Sequence, residues 1–223
     1  MAHMPCNPSI GGPAKGHLVR EISALGGLQA RAADASALMM RWLNTSKGPA
    51  VRALRAQCDW RDYHRFYLDE LTRRPNLRVF QDQVESLWFE HDVLRGVKTR
   101  FQLTFRAKKV ILTTGTHLNG RVHVGLVNYP SGPMGQQPAV GLSHSMRELG
   151  MVMQRLKTGT TPRLYRDSID WKDIQRQEGE REPVCFDFWG QKKIFREVWC
   201  GMTRTNSETH RIIRDNLDRS PIV

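Results

Sequence analysis

The sequence predicts a mixed α/β protein, and three observations carry that prediction. Apolar residues recur at helical spacing in two stretches, 17–27 and from about Val51 to Thr72. Between 77 and 107 the period shortens to strand-like runs rich in β-branched and aromatic residues: LRVFQD, VESLWFEH, VLRGVKT and FQLTFRA. KKVILTTG then carries an unbroken apolar core, Val110-Ile111-Leu112, of the kind that fills a buried parallel strand.

In chain order, residues 6–16 form a Gly/Pro-rich loop, CNPSIGGPAKG. HLVREISALGG follows as a short helix with Leu18, Ile22 and Leu25 on one side, closed by Gly26-Gly27. A second loop, NTSKGPAV, precedes a long amphipathic helix whose buried side takes Val51, Leu54, Cys58, Phe66 and Leu71. The four short runs, separated by one to three residues, read as an antiparallel β-meander. Residues 127–141 read as loop, LSHSMRELG as a helix and MVMQRLKTG as a strand. From about Thr158 the chain turns polar and charged without clear periodicity, which places a boundary there. SETHRIIRDNLDRS closes as a helix with Ser207 as its N-cap.

The chain has 223 residues, 39% hydrophobic and 25% charged, as expected of a globular protein with a core of its own. No apolar run is long enough for a membrane span, and the first residues lack the pattern of a secretory signal. Lys and Arg total 34 against 22 Asp and Glu, a net charge of +12 that favours a polyanionic partner, RNA first, or serves only solubility. Four dispersed cysteines, with no CxxC pair, suggest neither a zinc site nor a disulfide framework. His117 and His123 have no third ligand beside them, so no metal is expected.

Two glycine loops are candidates for cofactor binding. In the first, Gly11 and Gly12 permit unusual dihedrals beside a helix N-terminus, with Lys15 available to an anion. Ser46-Lys47-Gly48-Pro49 repeats that chemistry. Neither is a G-x-G-x-x-G or a P-loop, and each also reads as a purely structural turn. Cys6, taken to lie close to the helix N-terminus, reads either as an activated thiol or as a small buried residue. A meander followed by a buried strand ending in Gly115 is either a strand that merely turns or the arrangement by which flavoproteins with two dinucleotide-binding domains return the chain to FAD.

The run Cys6-Asn7-Pro8-Ser9-Ile10-Gly11-Gly12, with Lys15 to Glu21 and Ala24 to Leu28, closely resembles the GidA/MnmG family, glucose-inhibited division protein A. The resemblance continues through Leu43-Asn44, Ser46 to Ala53, Arg55-Ala56-Gln57, Ile111 to Thr116, Arg155 to Thr160 and Asn216 to Pro221. It implies a partial Rossmann-like FAD-binding domain with an antiparallel meander over residues 1–157, and the start of an inserted NADH/substrate domain over 158–223. It also implies an enzyme that forms 5-carboxymethylaminomethyl uridine at the tRNA wobble position in the cytoplasm, or in mitochondria if the source is eukaryotic. FAD would be bound, NADH would reduce it and methylene-tetrahydrofolate would supply carbon. A MnmE-type GTPase and a second copy of the chain would be partners.

Carried over by residue, the resemblance places Asn7, Gly11, Gly12, Lys15, Lys47, Gly48, Val84, Gly115, Thr116 and Ala139 at the cofactor, with Cys6 as the candidate catalytic thiol. At Ala139 the family usually has serine, so a side-chain hydrogen bond to FAD would be lost; Ser23, Trp60 and Thr161 are further departures. The family's G-x-G-x-x-G unit, upstream of the cysteine loop, is not found in the five residues before Cys6. Its downstream Cys-Pro-Ser-x-Glu segment and helical tail are not found either. The expectation is therefore a piece truncated at both ends that retains FAD weakly or not at all. The alternatives are a basic RNA-binding remnant without redox chemistry and an inactive fragment.

Overall fold

A computed structural model describes residues 1–195 and 198–220. In chain order its elements are β1 (Ser9–Gly11), α1 (Lys15–Ala24), α2 (Gln29–Ser36), β2 (Ala37–Leu43), β3 (Ala53–Cys58) and α3 (Trp60–Thr72). There follow β4 (Val84–Glu90), β5 (Val93–Thr99), β6 (Thr104–Arg106), β7 (Arg121–Val124), β8 (Val127–Pro130) and α4 (Val140–Glu148). β9 (Gln175–Gln177), β10 (Cys200–Met202) and α5 (Ser207–Arg214) complete it. The chain forms two compact units, one of residues 1–79 with 159–207 and one of 80–158 with 208–223. This partition by compactness differs from the division by cofactor role at 157.

In the first unit β3 is the central strand of a three-stranded antiparallel sheet, between β1 and β2. Leu54, Ala56 and Cys58 alternate along it and are buried, while Arg55 and Gln57 between them are half-buried. Val19 of α1, Ala30 and Ala33 of α2, and Met40 of β2 join them in one core. Small residues on α2 let that helix approach the sheet closely. Val184 and Phe186 return from the charged segment to complete the core, and Phe186 is 0% exposed.

Polar contacts hold that returning segment in place. The Asp34 carboxylate accepts from the Phe186 and Asp187 amides at 2.8 and 2.9 Å. Arg20 donates to the Cys185 carbonyl at 2.8 Å, and the Ser23 hydroxyl to the Asp187 carboxylate at 2.7 Å. Burial raises the Asp34 carboxyl above its ordinary range, although the two backbone bonds oppose this. Slightly upstream, the Glu180 amide donates to the Met40 carbonyl at 2.8 Å, and its carboxylate accepts from the Trp42 amide at 2.9 Å. The outer edge of β2 is thereby covered.

Burial also pushes the Cys58 thiol up to about 11, with Asp34 and Asp59 adding to the effect. An unfolded thiol ionises near 9.0, so the folded form is favoured below that pH and loses the advantage as pH rises through about 11. The two-unit gap corresponds to about 2–3 kcal/mol. Denaturation midpoints measured from pH 8 to 11 should fall, and fall less in Cys58→Ala. Equal slopes in the two proteins would refute the assignment.

In the second unit β4, β5 and β6 form the antiparallel meander, with α4 packed on β4. Gly141 faces Glu85, and the Ser145 hydroxyl accepts from the Leu87 amide at 3.1 Å. β7 and β8 make a separate hairpin. No described helix is long and apolar enough to cross a membrane.

Several expectations are corrected. The helix expected from Val51 to Thr72 is a strand followed by a helix. Asp59 sets the break, its carboxylate accepting from the Arg61 and Asp62 amides at 2.7 and 3.2 Å as the N-cap of α3. LRVFQD is not a strand, and FQLTFRA is one only over Thr104–Arg106. KKVILTTG is not a buried strand: Ile111 is 87% exposed. A central parallel strand needs ladder partners on both sides, and the described residues contain one parallel bridge, Leu118 with Ala139. MVMQRLKTG likewise has no ladder, and Val152 is 93% exposed. The stretch read as loop from 127 holds β8. Ser207 is the first residue of α5 rather than the residue preceding it.

Candidate functional site

The first glycine loop converts β1 into α1 within four residues. Gly11 and Gly12 have φ of 88° and 95°, and Ala14 follows at 60°. The Gly12 amide donates to the Leu54 carbonyl at 2.8 Å, and the Gly16 amide to the Gly12 carbonyl at 2.7 Å. A side chain on Gly11 would meet the Leu54 carbonyl and, at 2.6 Å, the Phe186 ring. One on Gly16 would lie 2.7 Å from the same carbonyl. Gly11 and Gly16 therefore serve close packing of α1 and β1 on β3. Gly12 differs: the nearest atom to its missing Cβ is Leu43 Cδ1 at 3.9 Å.

The second loop lies at the same end of the sheet, because it joins Leu43 of β2 to Ala53 of β3 and these two residues are paired. The Lys47 amide donates to the Asn44 carbonyl at 3.0 Å. Gly48 has φ of 94°, with no atom within 4 Å of the missing Cβ. Lys15 is exposed as the first residue of α1, whose N-cap position, Ala14, makes no side-chain cap bond. Gly12, Lys15, Lys47 and Gly48 thus share one rim. His17, in the first turn of α1, carries a buried Nδ1 without a hydrogen-bond partner. The sequence reading passed over this histidine, although Lys15-Gly16-His17 adjoins the glycine loop.

Cys6 and Asn7 lie at the other end of β1. The Cys58 amide donates to the Pro8 carbonyl, whereas Gly12 pairs at Leu54, four residues away along β3. Four strand residues span about 13 Å. The proximity of Cys6 to a helix N-terminus, assumed from the sequence, is therefore not observed, because β1 intervenes. Asn7 is exposed, and the Cys6 carbonyl accepts from Arg163 at 3.0 Å.

The remaining candidates lie in the second unit, where the structure brings them together. The Ala139 amide donates to the His117 carbonyl at 2.8 Å, and the Asn119 amide to the Ala139 carbonyl at 3.0 Å. This straps the turn holding Gly115 and Thr116 to the start of α4. Gln83, adjacent to Val84, donates to the Pro138 carbonyl at 3.0 Å and so ties β4 to the same point. Gly115 has φ of 54° and open space where a side chain would be; Thr116 is exposed and Val84 half-buried. His117 is held between the Thr114 carbonyl and the Gln136 side chain. Ala139 is the N-cap of α4 and makes no cap bond. A serine here would be placed to cap the helix, a structural role separate from any cofactor contact.

The comparisons agree with this architecture. The family model described as glucose inhibited division protein A matches residues 1–223. A protein of Lactobacillus delbrueckii subsp. bulgaricus named tRNA uridine 5-carboxymethylaminomethyl modification enzyme MnmG is 48% identical over 100% of this chain, which covers 36% of that protein. The protein of the same name from Heliobacterium modesticaldum is 46% identical over 100% of the chain, covering 35% of its own length. Aquifex aeolicus GidA in the form I crystal superimposes with a TM-score of 0.92 at 36% identity, over 99% of this chain and 38% of that one. The form II crystal gives 0.90 at the same identity. The chain thus spans about a third of the length of the relatives it matches. With a family model matched over all its residues and a solved relative of the same fold, the chain belongs to the glucose inhibited division protein A family.

Proposed function

We propose that this chain contributes part of the flavin-dependent machinery that modifies the wobble uridine of tRNA. The observation that carries this reading is the 48% identity, along the whole chain, to a protein named for uridine 5-carboxymethylaminomethyl modification. The residues present fit FAD at two places. Gly48 is exposed, with open space around it, beside Lys47, and Lys15 is exposed at the same end of the sheet, while buried Gly12, its amide held by the Leu54 carbonyl, shapes the turn that leads into Lys15. In the other unit Gly115 and Thr116 form an open turn. Gly11 is filled by Phe186 and supports the loop from behind. When bound, FAD supplies the redox chemistry. The protein's part is to offer backbone N–H groups and lysine charge to an anionic cofactor. The same reading takes NADH as reductant, methylene-tetrahydrofolate as carbon donor, and a MnmE-type GTPase and a second copy as partners.

Titration of the purified chain with FAD, followed by flavin fluorescence, tests the cofactor assignment. Weak saturable binding is expected, lowered roughly tenfold, or about 1.4 kcal/mol, by Gly12→Val or by Lys15→Ala with Lys47→Ala. Absence of saturable binding, or variants that bind as well as the parent, would sink it.

A further inference from the structure

A cleft of about 490 Å³ opens in the first unit between β2 and the paired strands β9 and β10, lined by Arg41, Arg176, Arg181, Gln175, Gln177 and Glu178 among others. Apart from Arg41, which precedes the second glycine loop on β2, its lining comes from the charged segment and β10, and it shares no lining residue with the site described above. Three features make its charge unusual. Arg41, Arg176 and Arg181 form no ion pair with any described residue. Arg41 stands directly opposite Arg55 in the β2–β3 register, so two guanidinium side chains occupy adjacent positions on one sheet face. Of the two only Arg41 lines the cleft, since Arg55 donates to the Ser9 hydroxyl at 3.2 Å. Arg176 of β9 is stacked over the Trp199 ring at 4.6 Å, which holds the guanidinium beside β10. Gln175 and Gln177 add neutral donors and acceptors, and Glu178 is the one acid in the lining.

We propose that this cleft binds the phosphates of an RNA backbone. The assignment rests on the tRNA reading above and adds to it a place of contact. Planar guanidinium groups suit phosphate oxygens, which accept two parallel N–H bonds. An open, polar, shallow cleft suits a chain of phosphodiesters better than a buried cofactor. The net charge of +12 favours the encounter.

The test is the salt dependence of tRNA binding by the full 223-residue chain. Each neutralised phosphate contributes roughly 0.7–0.9 to the slope of log K against log salt. Arg176→Ala with Arg181→Ala should therefore lower the slope by about 1.5 and weaken binding at every salt concentration. A control pair on α3, Arg65→Ala with Arg73→Ala, removes the same charge and should leave the slope within about 0.5 of the parent. Circular dichroism of both pairs should match the parent, since the four residues are exposed.

If the parent binds tRNA and the cleft pair retains its slope, or both pairs lower it equally, the cleft assignment is overturned while the tRNA reading stands. If the parent shows no tRNA binding at low salt, both fail together. A third arm titrates NADH, which carries a diphosphate. Loss of NADH binding in the cleft pair with tRNA binding intact would assign the cleft to a dinucleotide and overturn the RNA proposal.

Discussion

Replacing Phe186 with alanine is expected to destabilise the first unit by about 3–5 kcal/mol. The ring is fully buried, it completes a core otherwise made of Val19, Ala30, Ala33, Met40, Leu54, Ala56, Cys58 and Val184, and it lies directly behind Gly11. Several of those neighbours are alanines, too short to move into the vacated space. The cost should therefore fall toward the upper end, because sites that cannot collapse retain the whole cavity. Urea denaturation followed by tryptophan fluorescence measures it. A loss below about 1 kcal/mol would show that the segment from Val184 to Asp187 is not docked as described. Phe186→Leu, which keeps most of the volume, should cost less than half as much.

Gly11→Ala should cost about 3 kcal/mol, more than a glycine-to-alanine change costs in most loops. One part comes from φ of 88°, a backbone state that costs an L-residue roughly 1–2 kcal/mol. The other comes from overlap of the new methyl with the Leu54 carbonyl and the Phe186 ring, worth roughly 1–3 kcal/mol. The two parts separate in a double-mutant cycle. In a Phe186→Leu background the ring clash is relieved while the strained φ and the Leu54 carbonyl remain. Gly11→Ala should then cost roughly 1 kcal/mol less than in the parent. Strict additivity would mean that ring and methyl never meet. Gly12→Ala provides the contrast: similar φ but no crowding, so only the conformational part is expected.

These residues also show what sequence alone could reveal. The β4–β5 pair was legible because local period and turn residues agree with the fold; the existence of helix α1 was legible too, but Leu18, Ile22 and Leu25 are exposed and its buried face is Gly16, Val19 and Ser23. The strand β3 was not, since Val51, Leu54 and Cys58 recur at a spacing that serves a helix equally well. The decisive residue was Asp59, whose capping bonds fix where the helix starts. Helix α2 and strand β2 drew no prediction, although both contribute to the core. Val110-Ile111-Leu112 reads as buried because apolarity is local, but a ladder depends on partners that no local window contains. Phe186 sits in a charged segment without periodicity, and only the tertiary structure shows it to be core.

The candidate site was legible in part. The two glycine loops lie at one end of the sheet, which the sequence did not indicate, and Gly115, Thr116 and Ala139 cluster with the end of β4. The surroundings of Gly11 and the position of Cys6 were not legible, for one reason. The Gly/Pro-rich composition of residues 6–16 hides a three-residue strand, β1, which places Gly11 against Phe186 and separates Cys6 from α1.

The contacts between Arg20 and Cys185 join residues 165 positions apart, and the core closed by Phe186 depends on the same return of the chain. A ribosome adds about 5–20 residues per second, so residues 1–79 emerge several seconds before Phe186 can reach them. Throughout that interval the pocket behind Gly11 is open, and the outer edge of β2 lacks Glu180. Residues 1–79 are thus made before the segment that completes their core. Their vulnerability to aggregation or to capture by a chaperone is set by the time needed to make the rest.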